Sequence, residues 1–198
     1  MTQPTNYTTD SAVGVDFNQV YTVSASATPE TPAPPFLIGT TLIGFFGAEY
    51  IFVQASTSIS ANDFIAITGA NQANSLTNTN VEATGGVRIG VAPGAPVVTS
   101  TGIAAQAYFW AALNGSQLAA NGVAASTTSN VQLYTTAVAG VVSSVTGSSG
   151  VPLGGVILTA SATANPQTFE LSWPRLVAII NTSVQYVGPF FGVNAQNP

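Results

Sequence analysis

Apolar residues recur at every second position through Phe169, Leu171 and Trp173, with Thr168, Glu170 and Ser172 between them. Successive side chains of a strand point to opposite faces, so this run predicts a β-strand with one buried and one wet face. Val87, Ile89 and Val91 against Arg88, Gly90 and Ala92 repeat the pattern. Further short runs rich in β-branched and aromatic residues predict strands over Phe36–Ile43, Tyr50–Gln54, Phe64–Ile67, Val87–Ala92, Ala107–Ala111, Val131–Tyr134, Val156–Thr159, Thr168–Trp173, Leu176–Ile180 and Val184–Val187. Gly85-Gly86, Pro93-Gly94, Asn114-Gly115 and Asn121-Gly122 supply turn chemistry between them. Ala104–Leu113 is Ala-rich enough for a short helix, but its aromatic run and closing Asn-Gly favour a strand entering a hairpin. Val142–Gly150, with its Ser and Gly, reads as a mobile loop. Many short strands, frequent turns and no fixed repeat predict an all-β fold, a β-sandwich or barrel-like domain with an extended N-terminal arm.

The arm is residues 1–35, the β-domain 36–193, and 194–198 a polar tail. Pro4, Pro29, Pro32, Pro34 and Pro35 punctuate the arm, and Thr31-Pro32-Ala33-Pro34-Pro35 reads as a stiff polyproline spacer. One run inside it is patterned: Val13, Val15 and Phe17 alternate with Gly14 and Asp16, and Tyr21 and Val23 continue the odd positions. This is either the first strand of the domain itself or a strand offered to the sheet edge of another subunit, where main-chain hydrogen bonds supply affinity. Val13, Val15, Phe17, Tyr21 and Val23 are therefore the candidate partner-contact residues.

Composition changes the picture through charge. Charged residues make up 5% of the 198, against roughly a quarter in ordinary soluble domains. Lys is absent, Arg88 and Arg175 are the only side-chain cations, and seven acids bring the formal charge to −5. The polar surface must then be built from Ser, Thr, Asn and Gln, uncharged groups that cost less to desolvate against a neighbour than ions do. Two Arg residues cannot neutralise a phosphate backbone, so neither nucleic acid nor an anionic membrane is an expected partner. The most apolar stretch, Phe36 to Val53, contains Gly39, Gly44, Gly47 and Glu49. Its uncharged part ends at Ala48, short of the roughly 20 residues that span a bilayer.

The same composition removes most chemistry. With no His, Cys or Lys in the chain, serine and cysteine triads, Schiff-base lysines and a Walker loop are impossible. Zinc and redox metals lose their preferred ligands, and no calcium loop of the Asp-x-Asp-x-Asp-Gly kind is present. A carboxylate-only hydrolase needs two acids facing each other, and only Glu49, Asp63, Glu82 and Glu170 lie in the body of the domain. The expectation is a protein without catalytic residues, metal or cofactor. Arg88 and Arg175 are each expected to pair with an acid of the same or a neighbouring subunit. Tyr108-Phe109-Trp110 is expected in the core rather than as a ligand platform.

Residues from Ile51 onward carry a resemblance. Ser58-Ile59-Ser60-Ala61-Asn62-Asp63-Phe64-Ile65-Ala66-Ile67 is followed by Gly86-Val87-Arg88-Ile89-Gly90-Val91-Ala92 and by the aromatic strand Ala107-Tyr108-Phe109-Trp110. Ala119-Ala120-Asn121-Gly122-Val123-Ala124-Ala125, Val131-Gln132-Leu133-Tyr134-Thr135-Thr136-Ala137 and Ala139-Gly140-Val141-Val142 then succeed one another. This order, over roughly residues 50–160, resembles the capsid decoration (cement) proteins of tailed bacteriophages. The resemblance implies a structural virion protein on the outer capsid surface that binds the major capsid protein, as a homotrimer on the shell, with its arm reaching onto that protein. The alternatives are another β-rich virion component, such as a head fibre or tail protein, and a carbohydrate-binding module with exposed aromatics on one sheet face.

Overall fold

The computed structural model describes residues 15–22, 34–44, 47–83, 87–94, 102–122, 131–146, 149–160 and 165–176. Ten strands and one short helix follow in the order β1 (Thr41–Ile43), β2 (Glu49–Ala55), β3 (Phe64–Ile67), β4 (Gln72–Ser75), α1 (Asn78–Ala83), β5 (Arg88–Val91), β6 (Tyr108–Ala120), β7 (Leu133–Thr135), β8 (Val142–Ser143), β9 (Pro152–Ala160) and β10 (Gln167–Leu176). The protein is all-β, built on a closed five-stranded barrel with outer strands. The ring runs β2-β4-β3-β5-β6 and closes where β6 pairs antiparallel with β2. β2 and β4 are its parallel neighbours, and β1 continues the same edge of β2 toward Glu49. From the far half of β6, the strands β10, β9, β7 and β8 extend as an antiparallel sheet.

Period-2 side-chain alternation divides the apolar residues into two clusters. Ile51, Val53 and Ala55 of β2, Ile65 and Ile67 of β3, Ala73 of β4 and Phe109, Ala111 and Leu113 of β6 form one, inside the ring. Their intervening neighbours Tyr50, Phe52, Phe64, Ala66, Trp110 and Ala112 form the second cluster with Phe169, Leu171, Leu158 and Leu153 of the outer sheet. Cross-strand partners keep these faces: Ile51 lies opposite Ala111 and Val53 opposite Phe109, while Phe52 lies opposite Trp110. β2 and β3 are thus buried on both faces, which explains why they read as continuous apolar runs rather than alternating ones. Gly90 of β5 faces the inner cluster, where an added Cβ would stand 2.8 Å from the Ala112 carbonyl oxygen.

Several expectations are corrected. Asn114-Gly115 is not a hairpin turn; it lies within the 13-residue β6, where Gly115 takes φ 145° and the β6–β10 register shifts between Phe169 and Leu171. Trp173 does not continue the buried face of Phe169 and Leu171. The β10–β9 register slips between Leu171 and Arg175, and Trp173 emerges at φ 44° with 61% of its surface exposed. Val142 and Ser143, read as part of a loop, are the buried edge strand β8. Of the run Phe36–Ile43 only Thr41–Ile43 is strand. The helix α1 was not anticipated. A reciprocal cap fixes it, with the Asn80 amide donating to Thr77 Oγ1 (3.1 Å) and the Thr77 amide donating to Asn80 Oδ1 (2.9 Å). The runs Leu176–Ile180 (past Leu176 itself) and Val184–Val187 lie outside the described residues, as do most of the arm and the tail.

Candidate functional site

Of the five candidate contact residues, Val15, Phe17 and Tyr21 are described, and Val13 and Val23 lie outside the described residues. The segment 15–22 sits in the protein's own body. Asp16 organises it as a turn: its carbonyl accepts from the Gln19 amide (3.1 Å) and its Oδ1 from the Asn18 amide (2.9 Å). Beyond the turn the chain meets β6. The Tyr21 amide donates to the Tyr108 carbonyl and the Tyr108 amide to the Tyr21 carbonyl, both at 2.8 Å, forming one isolated antiparallel bridge. Both main-chain groups of Tyr108 are spent on Tyr21, so the segment occupies the edge of β6 turned away from β2. That edge is otherwise thinly covered, since β5 pairs with β6 only at Val91–Ala112 and β10 joins from Asn114 onward.

The segment therefore covers part of the free edge of β6, and its side chains enter both cores. Val20 joins the cluster inside the ring, whereas Phe17 joins the one outside it. Phe17 is fully buried, stacked on Tyr50 at a centroid distance of 4.1 Å and edge-on to Trp110 at 5.5 Å. The Tyr21 ring lies against Phe52 (5.8 Å) and Phe36 (6.4 Å), and Val15 packs half-buried beside them. Phe36 completes the group by meeting Phe52 at 5.4 Å and Trp110 at 5.0 Å. Phe109 and Trp110 are core residues, as expected for the aromatic run. Burial raises the Tyr50 hydroxyl to a pKa of about 12, and burial next to Asp16 raises that of Tyr21, so both phenols are neutral at physiological pH.

A polar hub, not anticipated from the sequence, stands under the barrel. Asp63 is 3% exposed, and its carboxylate accepts from the Ser75 hydroxyl (2.6 Å), the Ser60 amide (3.0 Å) and the Asn121 side-chain amide (3.1 Å). Asn121 also donates to the Ala61 carbonyl (3.0 Å), tying the end of β6 to the turn before β3. Burial pushes the Asp63 pKa up, and the three donated hydrogen bonds partly counter it. Gly140, at φ 71°, presses its backbone against this carboxylate, and an added Cβ there would overlap the carboxyl group. The one sequence signal for the hub was a lone acid bordering the apolar run Phe64–Ile67.

The described surface carries few ions and many amides. Along β2 and β4, Ser56 donates to Gln72 Oε1 (3.1 Å), Thr57 to Asn74 Oδ1 (3.3 Å), and Gln54 Nε2 to Gln106 Oε1 (3.1 Å) and Tyr108 Oη (3.2 Å). Within the chain, Arg88 donates to the side-chain oxygen of Asn71; the expectation for the Arg175 side chain lies outside the described residues. Trp173 donates its indole N–H to Glu49 Oε2 (2.7 Å), which fixes an exposed aromatic face. Among the described residues no group of three or more His, Cys, Asp or Glu could hold a metal ion, and no helix is long and apolar enough to cross a membrane. Comparison with known protein families, with curated proteins and with solved structures finds no match.

Proposed function

We propose that this protein is a structural virion component that decorates and stabilises the outer surface of a phage capsid by binding the major capsid protein. The observation that carries this reading is the wall of hydrogen-bonded amides and hydroxyls over β2 and β4, from Gln54, Ser56 and Thr57 to Gln72 and Asn74. Uncharged groups of this kind lose water at lower cost than ions when a neighbour covers them. The barrel beneath, packed on both faces, is a stiff body on which to present them. The resemblance of residues 50–160 to decoration proteins supplies the shell as partner, and a homotrimer as the form on it. The role is non-enzymatic, which accords with a chain free of His, Cys and Lys whose most buried described acid, Asp63, is occupied by three donors.

The test mixes purified protein with expanded shells of the phage that encodes it and images the particles. Regular added density outside the shell is expected, and bare shells at saturating protein would overturn the reading. Because Phe17 and Val20 are core residues, the truncation that probes the arm removes residues 1–14 and leaves the segment 15–22 in place. A second reading, as a carbohydrate-binding module, is favoured by Trp173, whose exposed face is held by Glu49. Glycan binding that disappears in Trp173→Ala would establish it.

A further inference from the structure

We propose that the bulge carrying Trp173 is a binding site for neutral sugars, in which the indole face stacks on a pyranose ring and Glu49, Asn114 and Ser172 take its hydroxyls. This site deepens the glycan-binding reading and rests on it, not on the capsid one. The exposure of Trp173 is built by the backbone. Leu171 of β10 lies opposite Val156 of β9 and Arg175 opposite Gly154, so Ser172, Trp173 and Pro174 bulge out against Gly155 alone. Gly155 takes φ 73°, and a Cβ there would overlap the Ser172 carbonyl oxygen, so the bulge seats only on a glycine. Trp173 itself takes φ 44°, an outlier for a bulky side chain, and does so before Pro174, which favours an extended predecessor. Strain of this kind persists where the surrounding structure enforces it, and it clusters at ligand sites.

The ring is held before any ligand arrives. Its N–H donates to Glu49 Oε2 at 2.7 Å, joining positions 124 apart in the chain and leaving 61% of the residue in water. A platform fixed in advance loses less freedom on binding than a swinging one. Beside it stands a polar row. Asn114 of β6 lies directly opposite Glu49 of β2 on one side and Ser172 of β10 on the other. Residues opposed in this way share a face of the sheet, with neighbouring strands about 5 Å apart, so carboxylate, amide and hydroxyl line up next to the indole. Among the described residues nothing hydrogen-bonds to Glu49 Oε1 or to the side chains of Asn114 and Ser172. A pyranose complements this set twice, with a C–H face for the aromatic and adjacent hydroxyls for the polar row. The negative charge of Glu49, in a chain of formal charge −5, disfavours acidic sugars. A quaternary ammonium fits less well, because it calls for a cage of aromatic faces. Among the described residues no aromatic other than Trp173 is exposed, and the carboxylate sits at the edge of its ring.

The test titrates full-length protein, by calorimetry, with three neutral oligosaccharides (cellohexaose, maltohexaose and chitohexaose), with hexagalacturonate and with choline chloride. Saturable binding of at least one neutral oligosaccharide is expected, with Trp173 emission shifted to the blue and protected from acrylamide. Trp173→Ala should abolish that binding. Asn114→Ala and Ser172→Ala should each weaken it about fivefold, the loss of one hydrogen bond, in proteins whose urea midpoints match the parent's. Binding of none of the three neutral probes would overturn the glycan-binding reading and this site together. Binding that survives Trp173→Ala, or that vanishes there but is unmoved by both Asn114→Ala and Ser172→Ala, would overturn the site alone. Tighter binding of hexagalacturonate or of choline would overturn the assignment to neutral sugars. No shell enters the experiment, so its failure is distinguishable from failure of the capsid reading.

Discussion

Phe17→Ala isolates the docking of the N-terminal segment from the stability of the barrel. The ring is fully buried between Tyr50 and Trp110, and truncating a buried Phe to Ala costs about 3–5 kcal/mol. That loss falls first on the local equilibrium between docked and undocked segment, because a single bridge ties residues 15–22 to β6. At about 1.4 kcal/mol per tenfold, even the lower figure opens the segment about a hundredfold more often. Native-state hydrogen exchange reads this at two amides, those of Tyr21 and Tyr108, each donated across the bridge at 2.8 Å. Both should exchange about a hundredfold faster, while amides of the β3–β5 ladder change by less than about threefold. Global stability should fall by no more than the docking free energy of the segment, since further damage to an undocked plug costs the barrel nothing. Uniform acceleration across all strands would refute this reasoning by making Phe17 part of one indivisible core. Unchanged exchange at Tyr21 would refute it by showing that the ring does not hold the segment.

Asp63 gives a pH signature. Its folded pKa is raised above the ordinary 3.8, so between those two values the folded state binds more protons than the unfolded one. Stability contributed by this group should therefore fall as pH rises through that window and level off above it. Subtracting the urea-unfolding free energies of Asp63→Asn across the same pH range should isolate that slope, and a pH-independent difference would contradict it. Gly140→Ala forces a Cβ into the Asp63 carboxyl at a left-handed φ, and a loss of about 2–5 kcal/mol is expected in urea unfolding. An unshifted urea midpoint would count against the hub. Trp173→Phe should leave only Trp110 emitting, with a blue-shifted spectrum resistant to acrylamide, because Trp110 is fully buried and Trp173 is 61% exposed. Red-shifted, quenchable emission from that variant would place the two indoles wrongly.

How far the fold was legible depended on how side chains alternate. β2, β3 and the first half of β6 announced themselves because both of their faces are apolar, giving runs such as Tyr50-Ile51-Phe52-Val53, and β5 did so through the alternation of Val87, Ile89 and Val91. β4 was hidden for the opposite reason: its sequence Gln-Ala-Asn-Ser offers one core residue, Ala73, and its outer face is amide. β8 was lost among Ser and Gly, and α1 is held by a cap rather than by an apolar stripe. Trp173 defeated the period-2 rule because the register slip in β10 changes which face the next side chain meets. The pattern through Phe17 and Tyr21 was visible, but whose core it would enter was not, since the same alternation serves a first strand or a donated one. The Asp63 hub joins residues 60, 63, 75, 121 and 140, and no local pattern links positions so far apart.

The Tyr21–Tyr108 bridge also has a mechanical meaning. A pull applied at Val15 reaches β6 through the segment 15–22, whose main-chain attachment to that strand among the described residues is two hydrogen bonds. The barrel ring behind it is clamped by the β2–β6 ladder from Glu49 to Gln54, a far longer zipper of the same bonds. Under load the bridge should part first, and the fifteen residue steps between Tyr21 and Phe36 would carry the pull while the ring stays intact. The segment would then act as a resettable fuse that absorbs extension before the load reaches the barrel.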